Sequence, residues 1–152
     1  MIKKVIIPIL LTLLLYSCEY KPIYSNKSDN NFSLEKINFN GDLEINNLIN
    51  KKLKRYKNQN SVKKFDLDIK SSYEKNSQSK DASGKTTDYK IIIKVTFKID
   101  NNREILTLQS QEDFLIKNLT NEFEEEKYEK IKVENAINLI INTLVIQLSQ
   151  II

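Results

Sequence analysis

The chain has 152 residues, a charged fraction of 29% and a hydrophobic fraction of 40%, which fits one modest globular domain and no more. It has no histidine, one cysteine and two glycines. The commonest general base and metal ligand is therefore missing, an intrachain disulfide or Cys-based zinc site cannot form, and Gly-rich phosphate loops are nearly excluded. The formal net charge of +4 falls to +2 without Lys3 and Lys4 at the start, which is not the charge balance of a nucleic-acid-binding protein.

Lys3 and Lys4 form a short positive opening, followed by an apolar run over residues 5–16 that only Pro8 and Thr12 break. A spanning helix needs about 20 apolar residues, so the run suits the central region of a secretory signal. It ends Leu15-Tyr16-Ser17-Cys18. This ending resembles the lipobox of bacterial lipoproteins, with Leu three before the cysteine and a small residue directly before it. Tyr16 departs from the usual small residue at the middle position. The resemblance implies that residues 1–17 are a cleaved signal peptide and that the Cys18 thiol receives a diacylglycerol. The freed amine of Cys18 then takes a further acyl chain, such as palmitate. Burying acyl chains is worth about 0.8 kcal/mol per CH₂, so one chain anchors only marginally while two or three hold. A plain signal with a chance cysteine, or a signal anchor, is the alternative reading. Glu19 after the cysteine, rather than Asp, favours the outer membrane over inner-membrane retention.

Residues 18–31 are polar with one Pro and read as a tether between the lipid on Cys18 and a single domain over residues 32–152. Residues 32–39 are a plausible first strand, although its alternation is imperfect. Asn40-Gly41-Asp42 is a turn whose Asp or Asn can cap a helix. Residues 43–57 follow with helical spacing of Ile45, Leu48, Ile49, Leu53 and Tyr56. Residues 62–73 alternate through Phe65, Leu67 and Ile69, as a half-buried strand does. Residues 76–85 read as a loop. The clearest strand places Tyr89, Ile91, Ile93, Val95, Phe97 and Ile99 on one face, with Lys90, Lys94 and Lys98 on the other. Residues 100–103 signal a hairpin turn, and residues 104–116 a fourth strand that Glu112 interrupts. A long helix begins near Glu125 and keeps Val133, Ala136, Ile137, Ile140, Ile141, Leu144 and Leu148 at helical spacing. The order β-α-β-β-β-α predicts an α+β fold, a two-layer sandwich of a four-stranded sheet with two helices on one face.

No constellation for catalysis stands out, and the chain is expected not to be an enzyme. Glu122, Glu124, Glu125, Glu126 and Glu129 crowd the start of a helix, where carboxylates favour the dipole. Asp66 and Asp68 fall on the solvent side of an alternating strand. A serine nucleophile would need a lysine base, and no Ser-x-x-Lys context presents one. No metal site and no cofactor other than the covalent lipid on Cys18 is expected. Charge singles out one group, Lys51, Lys52, Lys54, Arg55 and Lys57, continued by Lys63 and Lys64. These cations could meet anionic lipid headgroups or phosphate, or simply form a solvated helix face in a Lys-rich protein.

The heptapeptide Cys18-Glu19-Tyr20-Lys21-Pro22-Ile23-Tyr24 resembles the opening of mature LPS-assembly lipoproteins of the LptE family, in its alphaproteobacterial branch. There Cys is followed by Gly, an aromatic, a basic residue, Pro, an aliphatic and Tyr; Glu19 replaces the Gly. The element order, the long C-terminal helix and an aromatic just before it, Phe123, also fit the family pattern. The resemblance implies a lipoprotein on the periplasmic face of the outer membrane. Such a protein plugs the LptD-type outer-membrane barrel, supports its assembly and contacts lipopolysaccharide. From charge alone, any lipopolysaccharide contact is expected to use Lys51, Lys52, Lys54, Arg55 and Lys57, whose cations match lipid A phosphates. The other reading is a different outer-membrane lipoprotein, an assembly factor or an accessory subunit of lipid transport.

Overall fold

The fold follows from where apolar side chains fall on alternate strand positions. In a computed structural model, which describes residues 32–57 and 61–151, the elements are β1 (Phe32–Gly41), α1 (Leu43–Leu53), a 3₁₀ turn (Lys54–Tyr56), β2 (Lys63–Lys80), β3 (Thr86–Asp100), β4 (Ile105–Lys117) and α2 (Glu122–Gln150). The signal peptide and tether expected over residues 1–31 lie outside the described residues. The α+β expectation holds: one four-stranded sheet has the order β1-β2-β3-β4. β1 runs parallel to β2 with α1 as the crossover, and the other neighbours are antiparallel.

Ile91, Ile93, Val95, Phe97 and Ile99 of β3 are fully buried, each at most 2% exposed. They form one core with Phe65, Leu67 and Ile69 of β2, Ile45, Ile49 and Leu53 of α1, and the α2 stripe from Val133 to Leu148. The opposite sheet face is polar, with Lys94 beside Glu74 and Lys90 beside Asp113. Antiparallel sheets carry this wet face readily because alternation keeps it separate from the core.

The imperfect alternation of the first strand has a local cause. Leu34 pairs with Phe65 and Ile37 with Leu67, so β1 fits three residues against two on β2. This bulge resets the parity and keeps both Leu34 and Ile37 against the core. The displaced pair turns outward, where Glu35 meets Lys64 at 2.6 Å and the Lys36 amide donates to Asp66 at 3.0 Å.

Three boundaries differ from the sequence expectation. The first half of the segment 76–85 is strand, since β2 continues to Lys80, and only residues 81–85 turn before β3 starts at Thr86. The hairpin there reaches past the core, so both faces are wet and no apolar alternation marks it; its backbone ladder holds it, with the Ser77 and Thr86 hydroxyls 3.0 Å apart across the strands. Asp81 closes the turn by accepting from the Ser83 and Lys85 amides, both at 2.9 Å. The Ser83 hydroxyl and these amides hold its carboxyl below the usual carboxylate range. α1 ends at Leu53 and tightens into the 3₁₀ turn, as helix ends commonly do. α2 begins at Glu122, capped by Asn121, which accepts from the Phe123 and Glu124 amides. The Asn121-x-x-Glu124 spacing is a capping signature legible in the sequence. Phe123 consequently lies inside the first turn of α2, 72% exposed, rather than ahead of the helix.

The corner between β1 and α1 is tight. Asp42 caps α1 by accepting from the Ile45 amide at 2.9 Å. The Ser71 hydroxyl of β2 donates to the buried Asn46 side chain at 2.8 Å, and Asn46 donates to the Asn40 carbonyl at 3.3 Å. Buried polar groups are acceptable because these partners replace water.

Candidate functional site

The starts of α1 and α2 lie together at one end of the sheet, and their last turns lie at the other. The two ends differ in charge. At the first end, a groove of about 690 Å³ is lined by Asp42, Glu44, Tyr73, Lys75, Glu125 and Glu129, among others. Carboxylates in the first turns of both helices match the positive ends of the helix dipoles.

Asp42, Glu125 and Glu129 of this groove are committed to structure, Asp42 as the cap of α1. Lys75 of β2 sits on the inner sheet face opposite Ile91 and donates to Glu129 at 2.8 Å and to Glu125 at 3.2 Å. The Tyr73 hydroxyl also donates to Glu129. Glu125 accepts from the Leu119 amide at 2.8 Å, tying the preceding loop to the helix. Among the described residues, no three carboxylate or thiol side chains come together in a way that could hold a metal. Asp66 and Asp68 lie on the outer sheet face as the alternation predicts, Asp68 accepting from the Asn38 side-chain Nδ2 at 2.8 Å.

The network sets a pH dependence. Burial first, and then the hydrogen bond to Glu129, push the Tyr73 hydroxyl well above its ordinary value. Burial pushes the Lys75 ammonium down, but its hydrogen bonds to Glu129 and Glu125 outweigh this and leave it raised. Both groups hold their protons more tightly folded than unfolded. Their stabilisation is therefore complete below the ordinary tyrosine value of 10.0 and is lost as pH rises beyond it. Thermal unfolding followed from neutral pH into the alkaline range is expected to be flat and then to fall. Tyr73→Phe should make the fall shallower. Parallel curves for the two proteins above that point would remove Tyr73 as the cause.

The second end holds the cations singled out in the sequence. Lys51, Lys54 and Arg55 are exposed at the last turns of α1 and the 3₁₀ turn, with Lys52 and Lys57 half-buried. Basic residues there complement the negative end of the helix dipole. The Arg55 guanidinium lies 4.8 Å over the Tyr56 ring. Tyr56 stacks on Phe32 at 5.5 Å, and Phe32 meets Phe65 edge-on at 6.1 Å. These three buried aromatics form the floor under the cations.

The fold brings Lys63 and Lys64, which continue the group in sequence, to the same end and adds Arg103 to them. Lys63 and Lys64 start β2 directly beside Phe32 and Ser33. The Lys63 ammonium donates to the Ile151 carbonyl at 2.8 Å, satisfying the end of α2. A hydrogen bond and the charge of Glu35 raise the Lys64 ammonium above its usual value. Arg103, from the turn between β3 and β4, joins Val62, Lys63 and Lys64 around a depression of about 280 Å³. Both arginines of the chain thus sit at this end. Only the pairing of β2 with β3 brings Arg103 here, so no linear signal could have found it.

In sequence, the chain matches no family model and no curated protein. In structure, it is similar to rare lipoprotein B from Shewanella oneidensis, at 13% identity and a TM-score of 0.52, covering 74% of this chain and 96% of that one. It is also similar to an uncharacterized lipoprotein B from Nitrosomonas europaea, at 13% identity and a TM-score of 0.53, covering 78% of this chain and 85% of that one. At such identity the likeness is one of architecture. From Phe32 onward, the chain carries the α+β fold of these lipoprotein B domains.

Proposed function

We propose that the protein is an outer-membrane lipoprotein of the LptE type, anchored through Cys18 and serving as the plug and assembly partner of an LptD-type barrel. The observation that carries this reading is a coincidence of two independent features. The heptapeptide from Cys18 to Tyr24 has the opening of LptE-family lipoproteins, and the domain behind it has the architecture of two lipoprotein B structures. The role is non-catalytic: the chain has no histidine, and Glu125 and Glu129 of the groove are bonded to Tyr73, Lys75 and the loop before α2.

One face of α2 supports the reading. Tyr128, Ile131, Leu139 and Ile146 are 43–55% exposed on the side away from the core. Beyond Glu134 the helix has no charged residue. An exposed aliphatic row along an uncharged helix face suits burial against a partner protein. Lipopolysaccharide is proposed as a second partner, its lipid A phosphates meeting Lys51, Lys52, Lys54, Arg55 and Lys57.

The test is a pull-down through a C-terminal tag from native membranes in mild detergent. A large outer-membrane barrel is expected at one to one. A barrel-free preparation that still carries acyl chains on Cys18 would replace the reading with the other one, an assembly factor or lipid-transport subunit with a different partner.

A further inference from the structure

The cations gather where the described chain begins. Phe32 is the first described residue, and its ring packs on Tyr56 and Phe65 beneath the basic end. Residues 1–31, including Cys18, precede it. A chain anchored at Cys18 therefore enters the domain at the basic end and at no other.

We propose that this end is a docking surface for the anionic phospholipid bilayer that holds the anchor. The domain then stands on the membrane with its helix C-termini inward. The inference rests on the lipid-anchor part of the reading above and concerns the anchored protein outside a barrel lumen. Three observations at this end agree. Cations from separate elements converge there: Lys51 and Lys54 from α1 and its 3₁₀ turn, Lys64 from β2, Arg103 from the β3–β4 turn. Aliphatic side chains stand beside them in water: Val62 is 99% exposed and Ile105 is 67% exposed. Basic residues with neighbouring aliphatics are the chemistry that settles at a headgroup boundary, and each cation near an anionic leaflet is worth about 1 kcal/mol.

The carboxylates at this end leave the balance positive. Glu35 pairs with Lys64 and Asp66 with Lys36, while Asp100 and Glu104 flank Arg103. The opposite end, with its carboxylates in the first turns of both helices, would be repelled by the same leaflet. The β2–β3 hairpin tip lies roughly 55 Å from the start of β2, at about 3.3 Å per residue, and points away from it.

The test uses the full lipidated protein in vesicles. A single added cysteine carries a fluorophore, either Val62→Cys at the basic end or Ser83→Cys at the hairpin tip. Both sites are exposed, so folding is preserved. The vesicles are phosphatidylcholine alone, or with phosphatidylglycerol as a minor component, and carry a quencher on the headgroups. Quenching at position 62 is expected only with phosphatidylglycerol, and none is expected at position 83. Raising salt to 1 M, where the Debye length is about 3 Å, should abolish it. So should the triple reversal Lys51→Glu, Lys52→Glu and Lys54→Glu. Equal quenching at positions 62 and 83, or quenching at 62 that ignores phosphatidylglycerol, overturns the docking. So does quenching that appears only when lipopolysaccharide replaces the phospholipid. Mass measurement of acyl chains on Cys18 reads the anchor separately. A protein without them that still docks by position 62 keeps the surface and removes the anchor.

Discussion

Gly41→Ala is expected to cost on the order of 4 kcal/mol and to lower the melting temperature by roughly 15 °C. Gly41 ends β1 with a φ of +95°, a conformation that side-chain-bearing residues rarely adopt. A Cβ there would sit 1.9 Å from the Ser71 carbonyl oxygen of β2. That neighbour is backbone in the middle of a sheet, so it cannot swing aside. The same corner holds the Asp42 amide on the Ser71 carbonyl at 3.3 Å and the Asn46 side chain on the Ser71 hydroxyl. Opening it disturbs the sheet and the start of α1 together. For a domain whose total stability is about 5–15 kcal/mol, the loss is severe. Gly84→Ala is the control: its φ is +84°, but nothing lies within 4 Å of the added carbon. It should cost about 1 kcal/mol, from the backbone alone. Equal losses for the two variants, measured by thermal or urea unfolding, would mean that the approach to Ser71 does not limit this corner.

Cys18→Ser should remove the anchor outright. Without the thiol no diacylglycerol can be attached, and processing before residue 18 stops. The expected product is the larger, uncleaved precursor, with no incorporation of labelled palmitate. Its apolar run over residues 5–16 is short of the roughly 20 residues of a spanning helix, so it should wash from membranes under conditions that leave the wild type bound. Two or three acyl chains hold a protein far more firmly than one, so the difference is close to all or none. A Cys18→Ser protein that is still cleaved and released would favour the plain secretory signal, and one that stays uncleaved and membrane-bound the signal anchor; either would end the lipoprotein reading.

The two results probe different layers of the same chain, and the layers were unequally legible. The β3 alternation from Tyr89 to Ile99 and the helical spacing from Val133 to Leu148 announced the core directly, because burial on one face imposes a period of two or of 3.6. Where burial stops, so does the signal. The outer half of the β2–β3 hairpin is strand without alternation, because neither of its faces meets the core. The bulge at Glu35 and Lys36 blurred β1 for the opposite reason: both flanking apolar residues face inward, but one residue out of phase. The candidate site divides in the same way. Lys51 to Lys57 are neighbours in sequence and were visible as a charge cluster.

The sequence by itself determined the element order, the identity of the core, and the absence of histidine chemistry and cysteine pairs. It also supplied the signal-like opening that ends at Cys18, since each of these is written in local composition and spacing. The tertiary structure alone decided which distant residues share an end. The parallel pairing of β1 with β2 sets Phe32 beside Lys63, and the antiparallel turn of β3 into β4 delivers Arg103 to the same place. Lys75 shows the reverse: its strand position gives no hint that Glu125 and Glu129, some fifty residues on, will enclose it. Such meetings depend on strand register, which backbone pairing and core packing fix jointly over the whole sheet. No window of neighbouring residues contains that information.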